Sequence, residues 1–246
     1  MESLKLGTLN INGLTSPTRV ALLEAFIRIH ALDILLLQEV THQIFSDICG
    51  YNTFYNTGTS NRGTAIISRD ALPIPTVNKI PSGRAIAANV RELSIVNIYA
   101  LPGAAMKQER DVFFNSELTY LLRNSSDNML FGGNFNCVLE NADSTWQYIP
   151  SHTLAALVQG YALHDAWQAH SVHNAYTHYT ASAASRLDRF SVTGALLAKK
   201  QGVETVAAAF ADQLAVVRRL TLDSPIILRG RGMWKLNSAI ISKRPI

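Results

Sequence analysis

The run Ile34-Leu35-Leu36-Leu37 narrows the choice of fold more than any other stretch of the chain. Four consecutive apolar residues between Asp33 and Gln38-Glu39 read as a short strand. A strand with no polar side chain to turn toward water must be covered on both faces. A sheet with further layers above and below it follows. Upstream, Lys5 to Asn10 reads as another strand. Between the two lies a helix: Ser16 can cap it, Pro17 fits its first turn, and Val20, Leu23, Phe26, Ile27 and His30 recur at helical spacing. The chain opens as strand, helix, strand.

The alternation continues. Strands are expected at Gly63 to Ile67, Ala85 to Val90, Leu93 to Ala100 and Asn128 to Phe131, with a hairpin turn at Arg91-Glu92. A helix is expected from Met106 to Arg123, its apolar side carrying Val112, Phe113, Leu118, Leu121 and Leu122, and another at Thr153 to Gln159. Shorter strands read at Tyr176 to Tyr179, Asp188 to Val192, Val203 to Ala208 and Leu214 to Leu220. No repeat or linker interrupts residues 1–222, so they are expected to form one α/β domain. Beyond Leu222, Pro225, Arg229-Gly230-Arg231-Gly232 and Trp234-Lys235-Leu236-Asn237 read as a linker-like tail over 223–246.

Composition excludes some partners and favours others. With 48% hydrophobic and 16% charged residues the chain is expected to be globular. A net charge of +4 leans toward an anionic partner such as nucleic acid. No apolar stretch approaches the roughly 20 residues of a membrane span, and no signal peptide opens the sequence. An intracellular protein, nuclear or cytoplasmic, is expected. Cys49 and Cys137 have neither metal-site spacing nor the density of a disulfide scaffold, and both read as core packing. His164, His170, His173 and His178 lack zinc-ligand spacing and read as surface or loop residues. There is no phosphate-cradling glycine loop and no serine elbow.

Several of the apolar strands end in polar residues: Asn10, Gln38-Glu39, Asn97 with Tyr99, and Asn134 with Asn136. Strand ends of this kind meet at one rim of a sheet, where loops present side chains to a ligand. Glu39, a carboxylate placed directly after a buried strand, suits a hard divalent cation that favours oxygen ligands. Tyr99 offers a phenol that can donate to a phosphate oxygen. In Ser185-Arg186-Leu187-Asp188-Arg189 a carboxylate stands between two arginines, equally suited to a surface ion pair and to catalysis.

In order along the chain, these motifs resemble the endonuclease/exonuclease/phosphatase superfamily, and within it the apurinic-like endonucleases of non-LTR (LINE-type) retrotransposons. Thr8-Leu9-Asn10-Ile11-Asn12-Gly13 is similar to the family's first motif, Leu37-Gln38-Glu39 to its second, and Arg62-Gly63-Thr64-Ala65 and Ser82-Gly83-Arg84 to its two Gly/Arg segments. Val96-Asn97-Ile98-Tyr99-Ala100 resembles the strand of its active-site tyrosine, and Gly132-Gly133-Asn134-Phe135-Asn136 its Gly-Asp-Phe-Asn loop. Ser185 to Arg189 and Asp212-Gln213 match the last two motifs, and Gly230 to Asn237 resembles a segment leading toward a reverse transcriptase.

The resemblance implies a DNase-I-like four-layer sandwich, two mixed β-sheets packed face to face and flanked by helices. It also implies magnesium, or manganese in its place, held by Glu39 with help from Asn10 and Asp212. Tyr99 and Asn136 would donate hydrogen bonds to the developing charge. Position 134 would activate water, and position 213, aligned by Asp188, would bind or protonate the phosphate. The partner would be double-stranded DNA, contacted by Arg62, Arg84, Arg186 and Arg189 with Thr177 or Tyr179 near the cleaved strand, and nicked to prime reverse transcription. Two departures stand out: Asn134 replaces the family's aspartate and Gln213 its histidine. Asparagine cannot accept a proton and glutamine cannot carry positive charge, so this copy is expected to be catalytically impaired; the alternatives are a non-catalytic DNA-binding remnant, or a superfamily phosphatase or phosphodiesterase acting on a small molecule or lipid.

Overall fold

The computed structural model describes residues 2–41, 48–59, 62–123, 125–146, 150–167, 176–197 and 200–222. Among the described residues fourteen strands fall into two six-stranded sheets and one small hairpin. In the first sheet, β1 (Glu2–Asn10), β2 (Ile34–Val40), β3 (Tyr51–Asn56), β4 (Gly63–Arg69), β13 (Lys200–Val206) and β14 (Ala215–Leu222) are ordered β13-β14-β1-β2-β4-β3. The second contains β5 (Thr76–Lys79), β6 (Ala85–Val90), β7 (Leu93–Tyr99), β8 (Asn128–Asn134), β9 (Leu163–Asp165) and β12 (Asp188–Thr193), in the order β5-β6-β7-β8-β12-β9. The hairpin pairs β10 (His178–Tyr179) with β11 (Ala184–Ser185). Each large sheet has one parallel pair, β1 with β2 and β7 with β8, and antiparallel neighbours elsewhere.

The leucine run explains the layering. Side chains alternate across a strand, so Ile34 and Leu36 enter a core between the sheets with Leu6, Ile66, Ile86, Ile95, Leu130 and Phe190. Leu35 and Leu37 turn the other way, onto Leu23, Phe26 and Ile27 of α1 (Pro17–Ile29). On the far face of the second sheet, Val96, Ile98 and Phe131 meet Phe113, Phe114, Leu118 and Leu154. The result is the expected four-layer sandwich of two mixed sheets flanked by helices.

Ser16 caps α1 as expected, its hydroxyl accepting from the Arg19 amide at 3.3 Å with Pro17 in the first turn. The helix expected at Met106 to Arg123 is interrupted: α2 (Lys107–Val112) passes into a π-helical turn, Phe113–Leu118, and ends as α3 (Thr119–Leu122). Phe113 and Phe114, adjacent in sequence, are both buried there, and the wider turn lets two neighbours face the same sheet. α4 (His152–Gly160) matches expectation and is capped by Ser151. A last short helix, α5, covers Gly194–Leu197. Cys137 is buried as expected, but Cys49 is exposed, beside the turn into β3, and so is not core packing. His164 is exposed and His178 half-buried; His170, His173 and the 223–246 tail lie outside the described residues. Among the described residues no helix is long and apolar enough to cross a membrane.

Candidate active site

Each sheet runs its parallel pair toward the same rim, so Asn10 and Glu39 from the first sheet and Tyr99 and Asn134 from the second finish beside one another. A buried polar link ties the sheets just below. Gln38 Nε2 donates to Thr8 Oγ1 at 3.0 Å and to Asn97 Oδ1 at 2.7 Å, and Asn97 Nδ2 donates to the carbonyls of Leu37 at 2.9 Å and Ala65 at 2.8 Å. Asn97 was a candidate rim residue, but it is fully buried and serves as a strut between the sheets.

The acidic half of the rim is built on a bulge. Between Gln38 and Val40 the register of β2 against β4 shifts, and Glu39 sits at φ +59°. Asn10 Nδ2 donates to Glu39 Oε1 at 3.0 Å, and Asn10 Oδ1 accepts from the Asn12 amide at 3.1 Å. Asn12, whose Nδ2 donates to Asp212 Oδ2 at 3.2 Å, closes the group. Asn12 lies in the first motif but is given no role by the resemblance; a second asparagine two residues after Asn10 is the signal in the sequence that marks it. Arg62, expected on DNA, instead donates to Glu39 Oε2 in an ion pair and to Asn12 Oδ1 at 2.9 Å.

The other half is a line of neutral and near-neutral groups. Asn134 and Asp188 face each other across β8 and β12. Asn134 is fully buried; its Oδ1 accepts from the Asn136 amide at 2.9 Å and its Nδ2 donates to Gln213 Oε1 at 3.1 Å. The Gln213 amide also touches Asp188. Turned over, its nitrogen donates to Asp188 Oδ2 at 2.6 Å and its oxygen accepts from Asn134 Nδ2 at 3.3 Å. In the first orientation Gln213 presents oxygen to Asp188 and needs a proton there; in the second, its nitrogen meets Asp188, which then needs no proton at that contact. Burial pushes the Asp188 carboxyl up to about 7, against the lowering effect of the Thr177 hydrogen bond and of Arg189, with Asp212 and Glu39 adding to the rise. Thr177 Oγ1 donates to Asp188 Oδ2 at 2.7 Å and accepts from the Leu187 and Asp188 amides, each at 3.1 Å. It therefore stands behind the site, 1% exposed, and not on a DNA-facing surface.

Gly133 makes the approach of these strands feasible. At φ +143° it adopts a backbone few other residues tolerate, and a Cβ there would overlap the Ile98 carbonyl of β7. Asn136, at φ +48°, spends its Nδ2 on the Ala100 carbonyl at 2.8 Å. Tyr99 is buried, with Arg84 4.9 Å from its ring centroid. Burial first, then Glu39, raises its phenol above the ordinary value despite Arg84, so it stays a donor. Arg84 Nη1 is buried and lacks a hydrogen-bond partner among the described residues.

Arg186 and Arg189, expected on the DNA backbone or in a surface ion pair, are instead buried, their side chains 9% and 1% exposed. Arg186 pairs with Asp143 and, at 2.9 Å, with Asp165; Arg189 reaches Asp143 at 3.2 Å and Asp165 at 3.8 Å. Burial alone would raise the Asp143 carboxyl, but Arg189, Arg186 and the Leu139 amide outweigh it and hold it below the ordinary value. The quartet pins the loop after β8, through its 3₁₀ turn Asn141–Asp143, to β9 and β12. Sequence alone gave no sign of it, because Asp143 and Asp165 lie in unrelated segments.

The adjacent residues Asp212 and Gln213 join the two halves. Glu39 and Asp212 with the amide oxygens of Asn10 and Asn12 form an all-oxygen donor set, and the Arg62 guanidinium is a positive charge already seated on it. Among the described residues no cluster of three His, Cys, Asp or Glu side chains could hold a metal. Two carboxylates with amide oxygens, and neither imidazole nor thiolate beside them, suit a hard divalent ion that retains several waters better than zinc.

The sequence matches the endonuclease/exonuclease/phosphatase family over residues 7–245. The chain belongs to that family. Among curated proteins it is 25% identical over 264 aligned residues to the 149 kDa protein of transposon TX1 from Xenopus laevis, covering 97% of this chain. The chain spans only 20% of that relative's length. Its fold is that of an aspartate-to-asparagine variant of the 3′ phosphatase NExo from Neisseria, bound to a product DNA hairpin (TM-score 0.75, 21% identity, 89% of this chain and 100% of that one). An AP endonuclease from Archaeoglobus fulgidus is similar too (TM-score 0.74, 17% identity, 90% and 100% covered). The expected likeness to LINE-type elements agrees with the transposon relative.

Proposed function

We propose that this chain is the DNA-nicking endonuclease domain of a LINE-type retrotransposon, dependent on magnesium, whose present residues leave it severely impaired in cleavage. The supporting observation is the hydrogen-bonded line Asn134–Gln213–Asp188, which holds the two substituted positions together at the rim beside Glu39, Asn10 and Asp212. Magnesium, held by Glu39, Asp212 and the Asn10 amide oxygen, would polarise the scissile phosphate and stabilise the leaving oxygen. The Tyr99 phenol donates a hydrogen bond to a phosphate oxygen, and Arg84, with a buried unpartnered Nη1, supplies positive charge beside it. What is missing is proton handling. An acid at 134 would take a proton from the attacking water; the Asn134 amide, bonded to the Asn136 amide and to Gln213, cannot, a loss of roughly 10²- to 10⁴-fold. Gln213 donates at most one hydrogen bond to phosphate and no charge. Arg186, Arg189 and Thr177 act as scaffold, Arg84 stands beside the phosphate site, and Arg62 is paired with Glu39 at its acidic edge.

Supercoiled plasmid incubated with purified protein and magnesium measures the nicked fraction. Little nicking is expected from the present chain, and recovery from the Asn134→Asp, Gln213→His double variant. A present chain that nicks as fast as the double variant refutes the reading. A second reading, DNA binding without turnover, gains weight from the neutral, fully hydrogen-bonded Asn134. It predicts salt-sensitive retention of duplex DNA by the present chain and no turnover by either protein.

A further inference from the structure

The acidic half of the rim already contains a cation. Gly63 pairs with Val40 just past the β2 bulge, so Arg62, one residue before it, starts close enough for its side chain to reach back to the bulged Glu39. Position 63 admits no side chain, because a Cβ would overlap the Asn56 carbonyl, so β3 and β4 pack closely where β4 begins, next to Arg62. From there its guanidinium binds Glu39 Oε2 and Asn12 Oδ1, while Asn12 also holds Asp212. Both carboxylates of the proposed metal site are thus engaged in one ring of contacts, and the ring's single positive charge is Arg62. Glu39 Oε1 is turned to Asn10, so the oxygen engaged by Arg62 is the one left to face an incoming ion.

We infer that Arg62 is a built-in competitor for the divalent ion: it neutralises the acidic rim when no metal is bound, and the metal must displace it. This rests on the metal reading given above. The Arg62 side chain is 48% exposed and that of Glu39 13%, so the pair is partly hydrated and weak enough to yield to a doubly charged ion. A guanidinium is always charged and carries a fork of donors, so Arg62, once released, is available to a phosphate oxygen next to the metal. One residue would then stabilise the metal-free rim and, after exchange, meet the substrate's anion.

Isothermal titration of the full chain with Mg²⁺ alone, at low ionic strength, tests this without reference to activity. Arg62→Gln should bind Mg²⁺ at least about tenfold more tightly than the unaltered chain, and Glu39→Gln should lose binding. Arg84→Gln removes a charge that no hydrogen bond or ion pair ties to Glu39 among the described residues, and its affinity should change much less. An Arg62→Gln affinity no tighter than the original, with Glu39→Gln still abolishing binding, overturns the competitor and leaves the metal site standing. Equal tightening by Arg84→Gln also overturns it, because general charge would then explain the gain. Binding that survives Glu39→Gln, or Mg²⁺ binding to neither the original nor Arg62→Gln, overturns the metal reading and the inference together.

Discussion

Restoring aspartate at position 134 alone should harm the fold, and restoring histidine at 213 should relieve the harm. Asn134 is fully buried, and its Nδ2 donates to Gln213 at 3.1 Å while Gln213 also touches Asp188. A carboxylate at 134 would leave Gln213 between two buried acids. A primary amide has one donor end and one acceptor end, so turning it toward one carboxylate presents its oxygen to the other. Leaving a buried, charged acceptor unsatisfied costs roughly 2–4 kcal/mol. Histidine in that place, once protonated, donates from both ring nitrogens and can serve both acids. Asn134→Asp should therefore cost about 1–3 kcal/mol less in the Gln213→His background than alone, the scale of coupling seen between residues in contact. Urea unfolding of the four proteins at pH 7 closes the cycle. As pH falls below about 7 the single variant should regain stability, because the proton that Asp188 then carries gives the amide oxygen a donor. Additivity within about 0.5 kcal/mol at pH 7 would refute the reasoning, since it would mean that 134 and 213 do not share one hydrogen-bonded line.

Two further outcomes follow from the same buried groups. The Asp188 carboxyl is raised from 3.8 to about 7, so between those values the folded chain holds a proton that the unfolded chain has lost. Its contribution to stability should be fully present below about pH 4, fall by an amount on the order of a few kcal/mol as pH rises to about 7, and stay flat above; Asp188→Asn should abolish that slope in unfolding curves taken across the range, and an unchanged slope contradicts the assignment. Arg189→Ala strips a buried cation from Asp143 and Asp165, so a loss of roughly 3–5 kcal/mol is expected from urea unfolding, whereas a surface arginine contacting DNA would lose little stability and mainly DNA affinity.

What the sequence made legible and what it hid divide along a physical line. The leucine run and the Ser16 cap are local signals: each depends on neighbours a few residues away, and each held in the structure. β3 and β5 escaped notice because both are edge strands, partly exposed, with Tyr51-Asn52-Thr53-Phe54-Tyr55-Asn56 and Thr76-Val77-Asn78-Lys79 giving no run of buried apolar residues. The chemistry of the arginines was hidden for another reason. Whether an arginine meets solvent, DNA or a buried acid depends on which distant segment folds against it, as Asp143 and Asp165 do against Arg186 and Arg189. The same logic bears on the two substituted positions. Asn134 and Gln213 are 79 residues apart in the chain yet share one hydrogen bond, so a change at either alters the polarity the other must match. An amide at 134 is satisfied by the oxygen of an amide at 213, and an acid at 134 calls for a cation there. The residues at 134 and 213 are therefore physically coupled, and an aspartate at one with a histidine at the other, made together, would give a consistent charge pattern that neither change alone provides.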